Sequence, residues 1–143
     1  MNLKHSYDAF LEARGSFHDE VRRVSQYIAN ETNRLGGLTI NLRNQQIETR
    51  GFAVAMAGYA SKHKVPARYN VLAIKLFLAT YIIKHADNLM FTDGYLLGTW
   101  LHEGYLYLDL VAILNNKELA REVGRLNQQI AIYDLTNKEE IML

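Results

Sequence analysis

The chain has 143 residues and no cysteine, and sixteen Lys and Arg stand against fifteen Asp and Glu for a formal charge of +1. A chain of this length can bury roughly two-thirds of its unfolded surface as one domain without staples, and the missing cysteines exclude disulfides, thiolate ligands and cysteine nucleophiles. The near-neutral balance removes any global electrostatic ground for binding duplex nucleic acid, and the composition fits a reducing cytosol. No basic region precedes an apolar run at the N-terminus. The longest apolar stretch, Val71 to Ile83, holds Lys75 and falls short of the roughly 20 residues a span needs, so a cytoplasmic chain with neither leader nor membrane partner is expected.

Between Ser16 and Leu35, the residues Phe17, Val21, Val24, Ile28 and Leu35 recur mostly at steps of three and four, which predicts a helix with one apolar stripe. Ser16 is the expected N-cap, Asp19 and Glu20 suit the positive end of the dipole, and Gly36-Gly37 supplies the stop. Tyr7, Phe10 and Leu11 could add a turn or two before a break at Gly15. Residues 1–37 are read as a helical extension of one domain whose α+β core is 38–143.

Leu38, Ile40 and Leu42 alternate with Thr39 and Asn41 as a half-buried strand, and after a polar turn a second run from Ile47 to Met56 would complete a hairpin. Gly51 inside that run suggests a bulge or a close backbone approach. Residues 58–70 contain the one proline and carry Lys62, His63, Lys64 and Arg68 between Tyr59 and Tyr69. They read as a loop, either a solvated connection or one side of a site for a phosphate-bearing ligand, since cations meet phosphate and rings stack on bases. Asn70 then caps a helix through about His85 whose apolar residues run almost all the way round. Such a helix is expected to be buried, across the sheet or between the sheet and a second subunit, with Lys75 and Lys84 at its wet edges and a cationic His85 at its C-terminal end.

The stretch Tyr95 to Val111 holds two β-prone runs that meet at Glu103-Gly104, a strong hairpin signal. With those residues as the loop, His102 pairs with Tyr105, Leu101 with Leu106, Trp100 with Tyr107, Thr99 with Leu108 and Gly98 with Asp109. Alternation then puts Leu97, Thr99, Leu101, Leu106, Leu108 and Leu110 on one, core-like face, and Trp100, His102, Tyr105, Tyr107 and Asp109 on the other. The second face is either a further apolar layer or dimer contact, or a platform on which a base stacks.

Asn115-Asn116 caps a third helix to about Gln128, with Leu119, Val123 and Leu126 expected inward and Arg121, Glu122 and Arg125 outward. A strand at Ile130 to Leu135 and a terminal run Glu140 to Leu143 follow, and Asp134, on the face of Ile130 and Ile132, needs a partner. Tight turns between runs favour antiparallel pairing, so the expected class is α+β: an antiparallel sheet of hairpins with about three helices.

No Walker A loop, G-x-G-x-x-G, nucleophile elbow or HExxH motif is present, and His5, His18, His63, His85 and His102 show no ligand spacing. His102 with Glu103 or Asp109 could form a base and its orienting carboxylate, or be an exposed turn histidine. From about Gly51 onward, Gly98-Thr99-Trp100, then Glu103 to Val111 (EGYLYLDLV), Ala120, and Gln129 to Leu135 (QIAIYDL) with Glu140-Ile141 resemble a family of small phage and prophage proteins and of domains in large mobile-element polyproteins. The resemblance leaves residues 1–37 outside. It implies an accessory gene of a phage or similar element, and brings no catalytic residue with it.

The expectation is a non-enzymatic binding protein without cofactor or metal, a homo-oligomer with a dimer favoured. It would serve counter-defence by sequestering a nucleotide-like small molecule; a host-protein inhibitor and a minor virion component are the alternatives. Trp100, His102, Tyr105, Tyr107 and Asp109, with Lys62, Lys64, Arg68 and Tyr69, are the candidate ligand-binding residues.

Overall fold

The structure, a computed structural model, describes residues 3–143, with side chains from Gly15 onward. In chain order the elements are α1 (Leu3–Leu35), β1 (Gly37–Asn41), β2 (Gln46–Ile47), β3 (Phe52–Ala55), β4 (Ser61–Lys64), α2 (Asn70–Lys84), α3 (Ala86–Leu89), β5 (Leu96–His102), β6 (Tyr105–Leu114), α4 (Lys117–Leu126), β7 (Ala131–Asp134) and β8 (Glu139–Met142). The eight strands form one antiparallel sheet in the order β2-β1-β5-β6-β3-β7-β8, with β4 on β6 outside that path. The class is α+β, as the alternation and turns predict.

One sheet face carries the core. Leu97, Leu106, Leu108 and Leu110 of the hairpin pack with Ile40 of β1, with Val21, Val24 and Ile28 of α1 and with Ile74, Leu78 and Ile82 of α2, all buried. Further along that face a smaller cluster joins Val54, Ala120 and Ile132, and Met56 packs against both. A buried Thr32–Thr99 hydroxyl bond of 2.8 Å ties α1 to β5, which makes the later half of α1 part of the core. Arg43 then positions the approach to β5, because its Nη1 donates to the carbonyls of Thr92 and Tyr95 at 2.8 and 2.9 Å and to that of Leu89 at 3.3 Å.

Several expectations are corrected. Helix α1 runs unbroken through Gly15 and Ser16, so Ser16 caps nothing. An interior glycine costs a helix about 1 kcal/mol, too little to stop one anchored by packing. The side chains of Tyr7, Phe10 and Leu11 lie outside the described residues. The run 47–56 divides at Gly51, whose φ is +89° and whose missing Cβ would fall 2.7 Å from Ile113 Cγ2. Two residues before the division complete a short hairpin with β1, and those after it cross to pair with β6 and β7.

The expected loop 58–70 contains β4, in which Lys62 and Lys64 face outward while Ser61 and His63 share the face of Leu108 and Leu106. His63 is stacked on Phe77 at 4.4 Å and bonded to Ser61 Oγ at 3.0 Å, so polar residues occupy positions where a strand pattern would show aliphatic ones. Tyr69, in the left-handed region at φ 61°, takes the N-cap position of α2 without a side-chain bond. Asn70 is the first helical residue and donates instead to Asn33 Oδ1 at 2.7 Å, joining the start of α2 to the end of α1.

Two helices present their faces differently from expectation. On α2, Leu72, Leu76 and Ile83 are exposed, Leu76 by 58%, while Lys75 is half-buried. On α4, capped by Asn116 Oδ1 accepting from Leu119 N at 2.9 Å, Leu119 and Leu126 point outward and Ala120 and Gly124 inward. A Cβ on Gly124 would fall 2.7 Å from Leu143 Cδ1 and 2.9 Å from Ile132 Cγ2. The helix lies too close to the sheet for leucines, and small residues form the contact. Accordingly, Leu108→Ala, at a site with no exposure, is expected to cost about 2–5 kcal/mol in urea unfolding. Leu126→Ala, at 82% exposure, should stay within about 0.5 kcal/mol.

Candidate ligand-binding face

The hairpin turns at Glu103 and Gly104, with φ of 51° and 81°. Two consecutive left-handed residues are the requirement of a type I′ turn, whose twist matches that of its strands. The register follows as expected: His102↔Tyr105, Leu101↔Leu106, Trp100↔Tyr107, Thr99↔Leu108 and Gly98↔Asp109. With the leucines in the core, Trp100, His102, Tyr105, Tyr107 and Asp109 fall on the opposite face, and the described core side chains of α1, α2 and α4 pack against the first.

The rings of this second face associate. Trp100 and His102 are stacked with centroids 4.4 Å apart and planes at 14°, and Tyr107 lies 5.1 Å from Trp100. Because β4 pairs Lys62 with Tyr107 and Lys64 with Tyr105, both lysines stand on the same face. The Lys62 ammonium sits 4.3 Å from the Tyr105 centroid and 5.5 Å from that of Tyr107, within cation–π range. Trp100 remains 48% exposed. The result is an open platform of rings edged by two cations.

Arg68 and Tyr69 are not brought to it. The Arg68 guanidinium lies 5.0 Å over the Tyr69 ring at the start of α2, and among the described residues no hydrogen bond, ion pair, ring pair or cation–π pair joins these two to the platform. Between the two, a shallow depression of about 250 Å³ runs from Val65, Pro66 and Ala67 to the hairpin tip, where Val65 N donates to the Gly104 carbonyl at 2.8 Å.

Asp109 is the unusual member. It is half-buried, it faces Gly98 on one side, and on the other it meets the gap between β3 and β4, whose pairings with β6 end at Val111 and begin again at Leu108. Its carboxylate has no hydrogen-bond or ion-pair partner among the described residues, and burial pushes its pKa up to about 6. The same charge, after burial itself, helps raise the Tyr81 phenol above its ordinary range; Tyr81 donates to the Tyr59 carbonyl at 2.8 Å.

Other charged candidates have simpler roles. His102 Nε2 is 3.6 Å from Glu103 Oε1 with both groups exposed, and Asp109 is paired elsewhere on the strand, so no buried base and orienting carboxylate is assembled. His85, between the rings of Tyr59 and Tyr81, is held below the usual imidazole value by burial and by Lys84, contrary to the expected cation. Asp134 finds its partner in Asn137, which donates from N at 3.1 Å and Nδ2 at 2.8 Å and lowers its pKa. Among the described residues no three His, Asp or Glu side chains gather as a metal site, and no helix is long and apolar enough to cross a membrane. Comparison with family models, with curated proteins and with solved structures returns no match.

A carboxylate whose pKa is raised on folding contributes stability that is full below its unfolded value, near pH 4, and lost as pH rises through about 6. Asp109→Asn should therefore be more stable than the natural chain at pH 8, by about 1–3 kcal/mol, and equal to it at pH 4. Urea midpoints at the two pH values measure this. A less stable variant at pH 8 would mean that the carboxylate has a compensating donor.

Proposed function

We propose that the chain is a non-enzymatic binding protein that holds a nucleotide-like small molecule on the open ring-bearing face of its sheet. The observation that carries this is the pairing of a half-exposed, stacked Trp100 with two lysines edging the same face. The base stacks on Trp100, with Tyr107 beside it, and the phosphate lies toward Lys62 and Lys64, since base–aromatic stacking contributes about 1–3 kcal/mol and ammonium groups meet phosphate as point charges. Arg68 and Tyr69, expected in the same site, are left out of it. In the phage setting that the resemblance implies, holding such a molecule without turning it over withdraws a host signal, which is counter-defence.

A second surface supports a self-associating form. Leu72, Leu76 and Ile83 make an exposed apolar stripe along α2, and a straight stripe of this kind can meet its own copy about a two-fold axis. The dimer is the occupant proposed, and inhibition of a host protein is the alternative use of the stripe.

Calorimetry against mono-, di- and cyclic nucleotides tests the first proposal. Trp100→Ala should lower affinity about tenfold or more, and a Lys62→Ala, Lys64→Ala double variant should do likewise with an unchanged melting temperature. No heat from any nucleotide overturns it. Light scattering tests the second: a dimer mass is expected for the natural chain and a monomer mass for Leu76→Lys. A natural chain that is monomeric at micromolar concentration removes the dimer and moves the stripe to host-protein contact.

A further inference from the structure

We infer that the free edge of β4 takes an added antiparallel strand, an extended segment of another protein with an acidic, an apolar and an acidic residue in succession. The first support is the hydrogen-bond pattern of that edge. Strand β4 pairs only with β6, so its other edge is open. Val65 N donates to the Gly104 carbonyl in continuation of this register, and in an antiparallel ladder hydrogen-bonded pairs alternate with unbonded ones. The bonded pairs of β4 are therefore His63↔Leu106 and Ser61↔Leu108, and the amides and carbonyls of Lys62 and Lys64 point away from the sheet. Both lysines are exposed. An extended peptide laid along them gains main-chain hydrogen bonds from these groups.

The second support is the side chains that border the edge. Lys62 and Lys64 stand on the ring-bearing face, and among the described residues neither is held in an ion pair. Residues of an added strand opposite them lie on that same face, where two carboxylates meet the two ammonium groups. The residue between those two lies opposite His63, on the face where His63 stacks on Phe77 at 4.4 Å, and an apolar side chain packs against these rings. A second copy is not the occupant, because β4 paired with itself about His63 sets each Lys62 beside a Lys64, and like charges directly opposite destabilise a sheet. The row that keeps copies apart selects an acidic strand. This inference goes beyond the nucleotide reading and does not depend on it.

The test is fluorescence anisotropy of the full chain with labelled, end-blocked peptides. Ser-Thr-Glu-Val-Glu-Thr-Ser should bind about tenfold or more tightly than the same peptide with lysines in place of its glutamates. N-methylation of both glutamate amides, which face the carbonyls of Lys62 and Lys64, should weaken binding about tenfold or more, while N-methylation of the valine amide, which points outward, should change it little. In a Lys62→Glu, Lys64→Glu variant, shown by a thermal melt to be folded, the preference between acidic and basic peptides should invert. Three results overturn the inference: no saturable binding of the acidic peptide, equal damage from methylating glutamate and valine amides, or an acidic preference that survives in the variant. Each of them leaves nucleotide binding to its own calorimetric test.

Discussion

A ten-residue strand, β6, is paired along both edges, by β5 on one side and by β3 and then β4 on the other, and the left-handed pair Glu103 and Gly104 holds its register. Because side chains alternate with period two, a slip by one residue would exchange Leu106, Leu108 and Leu110 for Tyr105, Tyr107 and Asp109. Each of those leucines is fully or almost fully buried, at roughly 1.5–3 kcal/mol apiece, and the exchange would also push a carboxylate into the core. Core and platform are therefore one decision made at the turn. Helices α1 and α2 enforce it by closing over the leucine face.

The same strand shows where stability is given up. On one edge the ladder passes from β3 to β4 with a gap opposite Asp109, and on the other edge the residue facing Asp109 is Gly98. A half-buried carboxylate is thus left without a hydrogen-bond or ion-pair partner among the described residues, whereas Asp134, equally on a strand, is answered at once by Asn137. Two aspartates in one sheet are displaced in opposite directions, one by burial alone and one by hydrogen bonds to its charged form. Unanswered groups of this sort are where binding chemistry concentrates.

Much of this was legible in the sequence, and the limits have physical causes. The hairpin register, the two faces of β5 and β6 and the Asn116 cap are local, set by a turn, an alternation and a side chain within a few residues. The platform rings follow from that alternation, but Lys62 and Lys64 reach them only through β4, whose inward positions are Ser61 and His63 in place of aliphatic residues. Arg68 and Tyr69, adjacent in sequence to that segment, are carried off by the start of α2. On α4 the periodicity is plain in the sequence but points to the wrong inward face, because large apolar residues signal burial only where a helix keeps its usual distance. At Gly124 that distance is denied by Leu143 and Ile132, and which residues will crowd a glycine is tertiary information.

The order of strands also governs how the chain meets its own kind. The leucine-rich run Leu106 to Val111 lies in a strand paired on both edges, while the strands with a free edge are β2, two residues long, β4, with Lys62 and Lys64, and β8, with Glu139 and Glu140. Short, charged edges offer a neighbouring strand few unpaired groups and a repulsive side-chain row. This β-prone segment is reached only by opening the middle of the sheet, so its exposure to cross-β stacking is limited by the pairing of β6 with its neighbours.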